Sequence, residues 1–154
     1  MSDTPPEESQ ESVHVRHVAP GLIYQQYGIV RAYETILETI SLDALHELRI
    51  QCKRLRYMLE SFEDAMGGDA KTVIDSAKGL QDHLGDLQDA RVANQIMHEY
   101  TLQVDERQPT SAVLQYMAVR ETEMQTLLAD LKHAWKTFSR AEVRRSLALA
   151  VSKL

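Results

Sequence analysis

The chain has 154 residues, enough for one domain with a core of its own. Its 17 Lys and Arg stand against 23 Asp and Glu, a formal charge of −6, so nucleic-acid binding through bulk positive charge is disfavoured. A local basic site stays open, because its field acts over about 8 Å at physiological salt.

Four of the acids, Asp3, Glu7, Glu8 and Glu11, fall in the first twelve residues, which hold no Lys or Arg. With Pro5, Pro6 and several Ser, residues 1–14 read as a disordered acidic tail, and residues 15–154 as one helical bundle. Pro20 sits where a first helix can start. Ile23, Tyr27, Val30, Leu37 and Ile40 then keep a helical period to about Ile40. Ser41 or Asp43 can cap a second helix, which stops near Gly67-Gly68. A third pattern, Val73, Ala77, Leu80, Leu84 and Leu87, steps by four and three as an apolar seam does. It predicts one long helix from Ala70 to Val104, with a local weakness at Gly85. Pro109-Thr110-Ser111 marks a break. A final long helix carries Met117, Met124, Leu131 and Phe138, with Val113, Leu128 and Trp135 beside them. Residues 141–154 form a short extra helix or fray. No stretch alternates as a strand does, so the expected fold is all-α, a four-helix bundle of long helices.

The second helix holds the candidate site. His46, Arg49, Lys53 and Arg56 recur at spacings of three, four and three, which places them on one narrow stripe. Leu45, Leu48, Cys52, Leu55, Leu59 and Phe62 form the broad apolar face beside it. Ile50 and Tyr57 bracket the stripe on its other flank. Glu47, Gln51, Arg54 and Ser61 form an outward polar face. A cationic row bracketed by apolar side chains is partly sheltered, where charge costs free energy unless compensated. Two explanations fit this spacing. An anion sits opposite the row, or the row is structural, with long side chains snorkelling at the core edge and Glu60 pairing with Arg56.

The segment HELRIQCKRLRY, residues 46–57, followed by LQDHLGDLQDA, residues 80–90, resembles the conserved-histidine α-helical domain, CHAD. Similar character in VRHVAPGLIYQQYGIVRAY before it and in the Trp135/Phe138 helix after it extends the resemblance over residues 15–140. The resemblance implies a helical, non-enzymatic module that binds inorganic polyphosphate. The family's basic motif falls on His46, Arg49, Lys53, Arg54 and Arg56. Leu80, Gln81, Leu84, Gly85 and Asp89 match the second signature and are read as mainly structural. The family usually carries two such helical repeats with facing basic helices. This chain carries one, similar to the second, so it is either a half-domain, whose expected partner is a second copy in a homodimer or another CHAD half, or a piece of a longer protein.

The ligand suits the residues, since Arg grips phosphate oxygens with a planar fork and Lys adds a point charge. A histidine phosphotransfer domain is the first alternative, but His46 sits near a helix start and bulky Ile50 follows one turn later. A structural or scaffolding bundle without ligand is another. His14, His17, His83, Asp86 and His98 lack the spacing of a metal site, and no cofactor is expected. No carboxylate pair, phosphate loop or Ser/His/Asp set marks an enzyme. The lone Cys52 falls on the core face and reads as a small buried hydrophobe. With no apolar run near ~20 residues and no hydrophobic leader, the expected location is cytoplasmic, with association to polyphosphate granules.

Overall fold

The computed structural model describes residues 15–103 and 110–154, and among them every regular element is helical. The expected disordered tail and the break at Pro109 lie outside those residues. Helix α1 runs Val15–Arg31 and tightens into a 3-10 turn, Ala32–Ile36. Helix α2, Leu42–Ser61, is followed by one turn, α3, Glu63–Met66. Helix α4 spans Gly68–Gln103, α5 spans Ser111–Phe138 and α6 spans Ala141–Val151. Of the 36 residues of α4, those near Gly85 continue the helix without interruption.

Pro20 lies inside α1 rather than at its start. It deletes one intrahelical hydrogen bond close to the helix's N-terminal end, a loss that Ala19, Ile23, Tyr27 and Val30 offset by burying one face. That face ends at Val30, so the α-helix stops at Arg31 and not at Ile40. The turn that follows satisfies its own carbonyls: Thr35 Oγ1 donates to Ala32 O at 3.0 Å and Thr39 Oγ1 to Ile36 O at 3.5 Å. Ser41 caps α2, its Oγ accepting from the Ala44 N–H at 3.1 Å. Gly67 closes α3 at φ +70°, in the left-handed region that glycine enters without steric cost.

The core gathers around α4, which packs against α2, α5, α6 and the α3 turn. Leu48, Leu55 and Leu59 of α2 meet Val73, Leu80, Leu84 and Leu87 of α4 in one buried cluster. Each such side chain stabilises the fold by roughly 1.5–3 kcal/mol relative to exposure. Helix α6 does not fray. Val143, Leu147, Ala150 and Val151 are buried, and Lys153 Nζ meets Asp69 Oδ2 of the first turn of α4 at 2.7 Å. His83 Nε2 lies 2.9 Å from Leu127 O, tying α4 to α5.

Helices α4 and α5 outreach the rest. Ala90 is the last buried residue of α4 and Leu131 the first of α5. Between them the two helices form a hairpin arm whose seam residues, Met97, Val113, Met117 and Met124, are only half-buried. The expected core of the final helix is therefore confined to its C-terminal end. Among the described residues no third layer covers this seam.

Candidate anion-binding site

The stripe on α2 sits where α2 and α4 meet, on the side away from α1. Helix α1 reaches α2 from the opposite flank, where Gln26 Nε2 donates to Gln51 O at 3.1 Å and to Gln51 Oε1 at 3.0 Å. Gln51 thus belongs to a helix contact and not to the solvated face its position predicts. Tyr33 of the 3-10 turn covers the same flank. Its phenol is pushed up from the usual tyrosine range by desolvation, then by the charges of Glu47 and Cys52.

Within the stripe the side chains differ in depth. Arg49 and Arg56 lie nearer the apolar face and are half-buried, as is His46, while Lys53 is exposed. His46 Nδ1, Arg49 Nε and Arg56 Nε are all out of contact with solvent and make no hydrogen bond. The nearest compensation for Arg56 is Glu60, whose Oε1 stands 3.2 Å from Arg56 Nε. The Glu60 pairing expected from the structural explanation is therefore present, but it reaches only one of the four positions. Tyr57 flanks the row. The Arg56 guanidinium stands 4.7 Å from its ring centroid and the Lys53 ammonium 5.5 Å. Both contacts hold the cations by the face of an aromatic ring; the Lys53 ammonium has no ion pair among the described residues, while Arg56 Nε faces Glu60. Arg54 is exposed, on the far side of the helix, with no partner among the described residues.

Helix α4 forms the other wall. Leu80 and Leu84 are buried, as their structural reading requires. Gly85 is different: a Cβ there would sit 3.6 Å from Arg49 Nε. That distance is ordinary van der Waals contact, so Gly85 marks how close Arg49 comes to this face of α4. Gln81, one turn earlier, buries an Oε1 that has no partner. Asp89 is exposed. The second signature does not reveal this closeness by itself, because spacing within one helix does not say which residues face another.

A cleft of about 740 Å³ lies elsewhere, between the 3-10 turn and α5, lined by Glu34, Leu37, Glu38, Lys132, Trp135 and Lys136 among others. Its cations are matched by acids, and Lys132 Nζ already meets Glu38 Oε1 at 3.0 Å, so it presents no net cationic face. Among the described residues, no group of three or more His, Cys, Asp or Glu side chains is arranged to hold a metal. Among them too, no helix is long and apolar enough to cross a membrane.

The class these features define is an all-α bundle with a cationic row set into a helix–helix junction. The chain belongs to the CHAD family: the family model for the CHAD domain matches residues 2–98, more than half of the chain. The match ends in the outer half of α4, short of the similarity expected as far as residue 140. No curated protein and no solved structure matches the chain.

Proposed function

We propose that this chain binds inorganic polyphosphate without catalysing a reaction on it, through His46, Arg49, Lys53 and Arg56; Arg54, expected to belong to the same motif, is exposed on another face of α2 and lies outside this row. The observation that carries this reading is the set of buried nitrogens on one face that make no hydrogen bond, His46 Nδ1, Arg49 Nε and Arg56 Nε, of which only Arg56 Nε has an acid beside it, Glu60. A buried donor without an acceptor costs roughly 1–3 kcal/mol, and a row of phosphate oxygens supplies acceptors along its whole length. From His46 to Arg56 the row rises about 15 Å, at ~1.5 Å per residue, a length that follows several phosphates. Membership of a family linked to polyphosphate binding supports the same ligand. The location that goes with it is cytoplasmic, at polyphosphate granules.

The test is a polyphosphate titration at several salt concentrations. Log affinity should fall with log salt at a slope of roughly −0.7 per phosphate neutralised, by analogy with single-stranded nucleic acid. The double variant Arg49→Ala/Arg56→Ala should flatten that slope by about 1.4 and weaken binding at least tenfold. The leucine face is untouched, so the variant should keep its helical circular dichroism. A double variant that binds like wild type would refute the assignment, and one that unfolds would favour the structural explanation of the row. Phosphate transfer onto His46 from a response regulator would point instead to a phosphotransfer domain.

A further inference from the structure

We propose that Lys78 on α4 is a direct phosphate ligand, so that the anion lies in a groove between two helices and is gripped from both walls. The inference rests on the polyphosphate reading above. It comes from the register of α2 against α4, which two contacts fix. Arg91 Nη2 meets Asp43 Oδ1 at 2.6 Å, and Arg49 Nε faces Gly85. Six residues forward on α2 correspond to six residues back on α4, so the helices run antiparallel and in step.

Carried four residues further, this register sets Gln81 level with Lys53. Carried seven further, it sets Lys78 level with Arg56. Lys78, Gln81 and Gly85 are spaced three and four apart, so they share one face of α4. Gly85 shows that this face looks onto the stripe. Lys78 is exposed and has no ion pair or hydrogen bond among the described residues. Gln81 Oε1, buried and unpartnered between Lys78 and Gly85, marks the same wall as polar and unsatisfied. The neighbouring cations of α4 are already used: Lys71 meets Asp75 at 3.6 Å and Arg91 meets Asp43.

The groove then has a cationic stretch of definite extent. Glu60 stands at one end, beyond Arg56, Asp89 stands on the α4 wall near the level of His46, and Asp82, four residues after Lys78, is exposed on the outer edge of that wall. A chain of phosphates fits between Glu60 and Asp89, with Arg49 beside Gly85 and with Lys78 and Arg56 closing on one phosphate from opposite sides.

The experiment compares Lys78→Ala, Lys78→Arg and Lys71→Ala in the full chain, by polyphosphate titration against salt. Lys71 is the control. It has the same charge on the same helix, seven residues before Lys78 and past the end of α2 in this register. Lys78→Ala should weaken binding several-fold and flatten the salt slope by about 0.7, Lys78→Arg should restore both, and Lys71→Ala should change neither. A Lys78→Ala curve that overlays that of Lys71→Ala overturns the two-walled groove. If Arg49→Ala/Arg56→Ala still abolishes binding in that case, the polyphosphate reading stands and only the role of α4 falls. A wild-type chain that binds no polyphosphate overturns both.

Discussion

Cys52 shows what burial does to a group that the sequence marks only as a lone thiol. It sits in the α2 face with no exposed surface, and desolvation pushes its thiol up to about 12 from 9.0. The neutral form is the one the fold favours. Its contribution to stability is therefore complete below pH 9.0, where the unfolded thiol is also neutral, and is lost as pH rises from there towards 12, where only the unfolded chain ionises. At pH 8 the folded chain then holds about a thousandfold less thiolate than the unfolded chain. Alkylation of the folded chain by iodoacetamide should be slower than alkylation of the urea-unfolded chain by roughly two to three orders of magnitude. A rate within tenfold of the unfolded one would show that the thiol is accessible and that α2 is not packed as described. The stripe residues show the opposite case. Their identity is plain in the sequence, but the depth of Arg49 and Arg56 relative to Lys53 depends on the position of α4.

At the scale of elements, what is legible in the sequence follows the apolar period. The seam of Val73, Ala77, Leu80, Leu84 and Leu87 gives α4 its face, and the break at Gly67 is visible as a glycine pair. Helix ends are harder. Nothing in the run to Ile40 says that the buried face stops at Val30, because Leu37 and Ile40 keep the period while packing only at the margin of the core. Gln51 misleads for a related reason: a polar residue on a polar face looks solvated until a neighbouring helix supplies Gln26. The cap at Ser41 is a local signal, and the structure forms it. Its Oγ satisfies one of the free N–H groups at the start of α2, so Ser41→Ala should cost about 1 kcal/mol in urea unfolding, and Ser41→Asn much less. An unchanged midpoint for Ser41→Ala would mean that water replaces the cap at no cost.

For the whole molecule, the arm of α4 and α5 carries the most exposed of the large apolar side chains among the described residues. Ile96, Tyr100, Leu102, Leu114 and Val119 are each more than half exposed. We propose that a second copy covers them, arm against arm, which turns two helices into a four-helix layer. Sedimentation should show a concentration-dependent dimer, and Ile96→Glu/Val119→Glu should return it to monomer with the fold intact. A wild-type chain that stays monomeric at millimolar concentration would rule this out. At the other end of α5, the sole tryptophan has a spectroscopic consequence. Trp135 is 3 % exposed, its ring centroid 5.7 Å from that of Phe138, which stands 5.7 Å from Tyr27 of α1. Its Nε1 has no acceptor, and the Arg31 guanidinium lies 6.0 Å from the ring centroid. The chain thus carries one tryptophan, which excitation at about 295 nm singles out from the six tyrosines, in an apolar setting at the junction of α1 and α5. Its emission is short in wavelength while that junction holds and moves to the red when α1 lifts away. Neither ring partner is on α2, so the same signal stays silent when an anion enters the groove, and the two events can be followed separately in one unlabelled sample.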